Sequence, residues 1–66
     1  MSTFEKLIDQ RKRLKIKQKH MAKQLGVTTS TMSRYESGER LISADMQDTY
    51  AEVLGINLYL IINNDE

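Results

Sequence analysis

The sequence of 66 residues lacks several features that define particular protein classes. It contains no cysteine and therefore forms no disulfide, and its one histidine, His20, cannot build a zinc-finger site. The longest apolar run, residues 58–62, is too short to span a bilayer, and no signal peptide is recognisable. We therefore expect an intracellular, cytoplasmic protein with no membrane association, no metal and no other cofactor.

Residues suited to catalysis are also scarce. There is no cysteine nucleophile and no glycine-rich phosphate loop, and His20 is expected on the exposed side of a helix. Asp45 and Asp48 have the spacing of one helix face, but we interpret them as solvated charges. The sequence predicts that the protein is not an enzyme.

The chain has the length of one small domain, and it contains no linker, repeat or low-complexity segment. A core of this size contributes little surplus stability. Since neither a disulfide nor a metal is expected, a partner chain is the remaining source of additional stability.

The charges of the chain are divided between its two halves. Residues 1–40 contain all ten Lys and Arg and four Asp and Glu, whereas residues 41–66 contain five Asp and Glu and no Lys or Arg. This division is typical of a molecule that turns one face toward a polyanion. The alternative is that the charges only solvate the surface.

A first helix is predicted near the N-terminus, where Ser2 and Glu5 have the spacing of a capping box. Helical spacing then places five side chains on one face: Phe4, Leu7, Ile8, Arg11 and Leu14. Arg11 is the exception among them, because a guanidinium inside a core requires a carboxylate partner. Alternatively, Arg11 lies at the edge of this face with its charge in water.

Two short helices joined by a tight turn are predicted next. Residues 18–25 form the first and end at Gly26, which supplies a left-handed residue. Residues 29–36 form the second, with Thr28 as N-cap. Two helices held at a fixed angle by such a turn can present one of them to the major groove of DNA.

The second of these helices carries a polar face without an acid. At about 100° per residue, four side chains fall together on it: Thr29, Ser30, Ser33 and Arg34. Short side chains let a helix sit deep in a groove, and an arginine can fork onto O6 and N7 of guanine. The alternative is the ordinary solvated face of an amphipathic helix.

A fourth helix is predicted from Ala44 to Leu54, between the cap Ser43 and the terminator Gly55. The apolar tail that follows contains Leu58, Tyr59, Leu60, Ile61 and Ile62. We interpret it as a strand that pairs with the same strand of a second copy, because a lone strand leaves its backbone groups unpaired. A short fifth helix is the alternative. In both cases the tail is expected to form a dimer interface.

The pattern of residues 7–56 resembles the helix-turn-helix of the phage repressor and Cro proteins, the XRE-like family. The matching positions are Gln18, Ala22, Leu25, Gly26, Val27, Thr28, Met32, Glu36, Ser37 and Gly38. The resemblance implies an all-α, compact four-helix DNA-binding domain over residues 1–56. We expect residues 57–66 to add a short C-terminal β-strand that pairs across a dimer.

The resemblance also implies roles for particular residues. The base-reading positions would be Thr29, Ser30, Ser33 and Arg34. The DNA phosphate contacts that it implies would be Gln18, Thr28, Thr31 and Arg40. To these we add the two neighbouring ammonium groups, Lys17 and Lys19. Arg11 would form a structural ion pair with Glu36, which accounts for a guanidinium on an apolar face. Phosphate contacts set affinity and base contacts set specificity.

The sequence departs from the family pattern at three places. Lys17 stands where a capping hydroxyl or asparagine is usual, so the second helix has a weaker start, although the ammonium can reach a phosphate. Leu41 and Ile42 occupy a loop that is often basic or proline-bearing, which leaves Arg40 as the candidate for a minor-groove contact. The C-terminal strand is more similar to dimeric antitoxin repressors of the HipB-like group.

Two functions follow from this resemblance. The first is a homodimeric repressor that binds a palindromic operator in double-stranded DNA. The alternative is an antitoxin that binds a partner toxin protein while regulating its own operon.

Overall fold

The computed structural model describes residues 2–56 of the chain. Its elements in chain order are α1 (Thr3–Arg13), α2 (Gln18–Leu25), α3 (Thr29–Ser37) and α4 (Ala44–Leu54). The predicted all-α, four-helix architecture is confirmed, and the described residues contain no strand. The predicted strand at residues 58–62 lies outside the described residues. None of the four helices has the length and apolarity needed to cross a lipid bilayer.

Three of the four helices begin at a capping hydroxyl. Ser2, Thr28 and Ser43 each accept a hydrogen bond from the backbone N–H three residues later, at 3.0–3.2 Å. At α1 the Glu5 side chain completes the predicted capping box. Helix α2 begins after Lys17, whose side chain makes no capping hydrogen bond. The first turn of α2 therefore has open backbone N–H groups.

The largest fully buried side chains of the core come one from each helix: Leu7, Met21, Met32 and Tyr50. Helix α2 packs against α3 and α4, and α1 packs against the same two helices. Leu14 is an exception to the predicted apolar face, because it is the C-cap of α1 and is 52% exposed. The predicted inward position of Leu14 is therefore wrong, since the chain leaves the helix there.

The end of α1 differs from the ends of the other three helices. Helices α2, α3 and α4 end at glycines in the left-handed region. After α1, that conformation falls on Lys15, with φ of 59°. The N–H of Lys15 donates to the Lys12 carbonyl, and the N–H of Ile16 donates to the Arg11 carbonyl, at 3.0 and 3.1 Å. This is the hydrogen-bond pattern of a Schellman motif, in which glycine is the preferred residue.

Replacing Lys15 by glycine is expected to raise the free energy of unfolding by about 0.5–1 kcal/mol. The change removes the Cβ that makes the left-handed region unfavourable and so lowers the free energy of the folded chain. This decrease is larger than the stabilisation of the unfolded chain by the greater conformational entropy of glycine. Thermal and urea unfolding measure the effect. Lys15→Ala is the matched control, because it removes the charge and keeps the Cβ. A glycine variant less stable than the alanine variant would contradict this reasoning.

Candidate nucleic-acid interface

Helix α3 presents the polar face that the sequence predicts. Thr29, Ser30, Ser33 and Arg34 are all exposed. The opposite face is anchored in the core, where Met32 is fully buried and Tyr35 is 7% exposed. The four polar side chains therefore share one surface of a helix whose other side is fixed by packing.

The start of α3 is held by two of the residues expected at phosphates. Thr28 Oγ1 accepts from the backbone N–H of Thr31 and donates to Thr31 Oγ1, both at 3.0 Å. Thr28 is exposed and Thr31 is half-buried. The two hydroxyls thus fix the first turn of the helix while remaining at the surface.

Arg34 has an ion-pair partner in the structure, although the polar face of α3 itself carries no acid. Its Nε lies 3.3 Å from Oε2 of Glu39, in the turn that follows α3. Ser37 Oγ holds this turn, because it donates to the Arg34 carbonyl and accepts from the Glu39 N–H. Both charged side chains are more than half exposed, so the pair contributes little to stability. It does restrict where the guanidinium lies above the polar face.

Arg40, the second arginine expected at DNA, follows this turn. Its guanidinium lies over the Tyr35 ring, 5.7 Å from the ring centroid. Its backbone N–H donates to the Arg34 carbonyl at 3.1 Å. Arg40 is exposed and the adjacent Leu41 is 92% exposed. The loop therefore places a cation beside the end of α3.

The N-terminus of α2 offers a second set of polar and basic groups. Gln18 is half-buried and its Nε2 donates to Oε1 of Glu36 at 3.3 Å. A shallow depression beside it is lined by Ile16, Lys17, Lys19, His20 and Lys23. The open N–H groups of a helix N-terminus and nearby ammonium groups both favour an anion. Lys23 was not among the predicted contacts, although its spacing of four from Lys19 on a helix signals a shared face.

A buried polar network connects these surfaces to the core. Arg11 Nη2 contacts Glu36 Oε1 at 2.7 Å, with side chains 9% and 7% exposed. Arg11 Nη1 donates to the Ile16 carbonyl at 2.7 Å, and Arg11 Nε donates to the Tyr50 hydroxyl at 3.1 Å. Tyr50 in turn donates to Glu36 Oε2 at 2.8 Å. The guanidinium that interrupts the apolar face of α1 thus has a partner for each of its nitrogens.

Tyr50 was missed by the sequence reasoning as a member of this network. Helical spacing places Tyr50 on one apolar face of α4 with Met46, Val53 and Leu54, which indicates only a core residue. Its ring does pack edge-on against Phe4, with centroids 5.0 Å apart. A buried tyrosine requires a partner for its hydroxyl, which was the available signal. That signal does not identify the partner, because Glu36 lies on another helix, 14 residues away in the chain, and only the packing of the helices brings the two together.

The network fixes the protonation states of its members. Burial alone would lower the pKa of Arg11, but the hydrogen bond and charge of Glu36 outweigh it and raise that pKa. Burial and the hydrogen bond to Glu36 raise the pKa of Tyr50 well above its ordinary value of 10. The guanidinium therefore stays charged, and the phenol stays neutral as a hydrogen-bond donor.

Alkaline pH is expected to destabilise the fold through Tyr50. Above pH 10 the unfolded chain releases the Tyr50 proton while the folded chain retains it. The contribution of the protonated Tyr50 to the free energy of unfolding is thus complete below pH 10. It is lost as the pH rises toward the pKa that Tyr50 has in the folded chain. Tyrosinate absorbance and thermal unfolding, followed together with rising pH, measure the effect. The Tyr50→Phe variant should lose this part of the pH dependence, and an unchanged profile would contradict the assignment.

Comparisons with known proteins give one match. Residues 7–61 match the profile of a family described as helix-turn-helix, which covers most of the chain. No curated protein and no solved structure gives a significant match. The matched range contains α2, the turn at Gly26 and α3, together with every residue of the Arg11 network.

Proposed function

The chain belongs to the XRE-like helix-turn-helix family, and on that premise we propose that it is a homodimeric repressor that reads a palindromic operator with α3. Membership of this family makes it a DNA-binding transcription regulator. The observation that carries the proposal is the exposed polar face of α3, which contains no acid and is fixed from behind by Met32 and Tyr35. Acting on cellular DNA, the protein would work in the cytoplasm.

The residues of the interface divide into two roles. Bases in the major groove are read by the polar face of α3, through Thr29, Ser30, Ser33 and Arg34. Phosphates are contacted on both sides of this face, through Lys17, Gln18, Lys19, Thr28, Thr31 and Arg40. The open start of α2 supports the first three phosphate assignments, because no side chain occupies its N–H groups.

The proposed dimer follows from the small number of base pairs that one recognition helix can contact. One recognition helix reads only a few base pairs, whereas two helices related by a two-fold axis read half-sites about 34 Å apart. The tail residues Leu58, Tyr59, Leu60, Ile61 and Ile62 are proposed as the dimer contact, and they lie outside the described residues. Sedimentation of the full chain gives the mass directly, and a monomer at operator-binding concentrations would contradict this part.

Selection of bound duplexes from random DNA at a stated salt concentration tests the whole proposal. We expect a palindrome whose half-sites are separated by about one helical turn. Salt must be stated because phosphate contacts make the affinity strongly dependent on it. Recovery of no common sequence would show that the chain does not read DNA specifically.

A partner-protein role is the second candidate, and the charge of α4 favours it. Asp45, Asp48 and Glu52 are exposed on this helix, which contains no Lys or Arg. An acidic surface on a helix that carries none of the assigned DNA contacts suits a basic partner such as a toxin. Co-purification of one partner in fixed stoichiometry from the source cell would support this role, and a homodimer purified alone would count against it.

A further inference from the structure

We propose that Tyr50 is a positioning residue for the DNA backbone: acting through Glu36, it holds the side-chain amide of Gln18 where a phosphate can accept from it. The inference rests on the proposed function, because Gln18 is one of the phosphate contacts assigned there. It extends the interface to α4, a helix that carries none of the assigned DNA contacts.

Both carboxylate oxygens of Glu36 are held. Oε1 accepts from Arg11 Nη2 at 2.7 Å and from Gln18 Nε2 at 3.3 Å. Oε2 accepts from the Tyr50 hydroxyl at 2.8 Å. Because the single hydroxyl proton of Tyr50 is donated to Glu36, the same oxygen is free to accept from Arg11 Nε, at 3.1 Å. The carboxylate therefore cannot rotate toward or away from Gln18 without breaking its bond to Tyr50.

The amide of Gln18 is suited to a shared role. Its Nε2 carries two N–H groups, and one of them donates to Glu36. The second can donate to a phosphate at the open start of α2, where Gln18 is the first helical residue. Arg11 neutralises Glu36, so the carboxylate orients the amide without repelling the DNA backbone.

The bonds cross three elements of the fold. Tyr50 lies on α4 and is fully buried, Glu36 lies near the end of α3, and Gln18 starts α2. Loss of the Tyr50 hydroxyl removes the donor at Oε2 and leaves the carboxylate held by Arg11 alone. The carboxylate can then turn about its contact with Arg11, so the amide of Gln18 is held less firmly before DNA arrives. Ordering a side chain on binding lowers affinity, and an amide fixed beforehand avoids this loss.

A double-mutant cycle tests the coupling. The affinities of the wild type, Tyr50→Phe, Gln18→Ala and the double variant are measured for the duplex recovered by selection. They are also measured for that duplex with one half-site base pair changed. We expect Tyr50→Phe to lower affinity about five-fold for both duplexes, and less than about two-fold once Gln18 is alanine. Thr49→Val is the control, because it removes a hydroxyl from the neighbouring position of α4 and should bind as the wild type does.

The proposal would be overturned if the loss of affinity in the double variant equalled the product of the two single losses, since the residues would then act independently. It would also be overturned if Tyr50→Phe bound DNA with wild-type affinity. Because Tyr50→Phe also removes hydrogen bonds from the core, a loss of affinity could come from partial unfolding. The side-chain amide of Gln18 is therefore followed by ¹⁵N NMR in the free protein, where folded and unfolded molecules give separate signals. The two Nε2 protons of any glutamine differ in shift, but the difference should be larger in the wild type, where one of them is bonded to Glu36, than in Tyr50→Phe. Unchanged shifts would overturn the positioning role. If no duplex is selected, the proposed function fails, and the NMR comparison still decides whether Tyr50 fixes Gln18.

Discussion

Replacing Arg11 by methionine is expected to unfold most of the protein at room temperature. Methionine fills similar space, but it leaves the buried Glu36 carboxylate without its counter-charge and the Tyr50 hydroxyl and Ile16 carbonyl without their donor. Breaking a buried ion pair from one side costs about 3–5 kcal/mol. A domain of this size has a core that supplies roughly 3–5 kcal/mol in total, so the loss is comparable with its whole stability. Circular dichroism and urea unfolding measure it.

Arg13→Met is the matched control for this prediction. It is the same substitution on the same helix, and Arg13 also has an ion-pair partner, Asp9, at 2.9 Å. Because those side chains are 70% and 42% exposed, the loss should be about 0–1 kcal/mol. Replacing the whole network with apolar groups, by adding Glu36→Leu and Tyr50→Phe to Arg11→Met, should recover much of the stability. An Arg11→Met variant as stable as Arg13→Met would show that the buried pair does not hold the fold.

Replacing Arg34 by alanine is expected to lower operator affinity by about 1–3 kcal/mol, or roughly 5- to 150-fold, and to relax the preference at one base pair of each half-site. The reason is the position of Arg34 on the exposed face of α3, where its guanidinium can fork onto guanine. Its contact with Glu39 is made by Nε at the surface and is weak, so it can yield to DNA. Binding to a panel of operator variants measures both effects.

Arg40→Ala is the control for Arg34, because Arg40 lies beyond the end of α3 and is assigned to a phosphate. This variant should weaken binding to all sequences about equally and reduce the salt slope by about one. Arg34→Ala should leave the discrimination at the other base pairs intact. If Arg34→Ala weakened all sequences equally and reduced the salt slope, Arg34 would be a phosphate contact and its assignment would be wrong.

The helices could be predicted from the sequence because their ends carry local signals. Ser43 caps α4 and Gly55 ends it, Thr28 caps α3, and Gly26 ends α2. The bounds of α2 and α4 agree with the prediction, although the start of α2 has no capping side chain. Helix α3 extends one residue further than predicted, since Gly38 rather than Ser37 takes the left-handed conformation. The end of α1 carried no such signal, because a lysine occupies the position where glycine is usual.

The side-chain contacts of the site could not be predicted in the same way. Periodicity gives the face of a helix on which a residue lies, but not which residues of another helix meet it. The contacts from Gln18 and Tyr50 to Glu36 span 18 and 14 positions and depend on how three helices pack. The Arg34–Glu39 contact is local, yet it depends on a turn whose shape Ser37 sets.

The absence of a capping side chain at α2 has a consequence for how the molecule folds. With eight residues and no acid in its first turn, α2 is too short to be helical by itself in water. Its helical structure must come from packing against α3 and α4, so we expect no preformed α2 helix in the unfolded chain. The angle between α2 and α3 is then set by the packing of the whole domain, so a core substitution far from the DNA-binding face can change how α3 is presented.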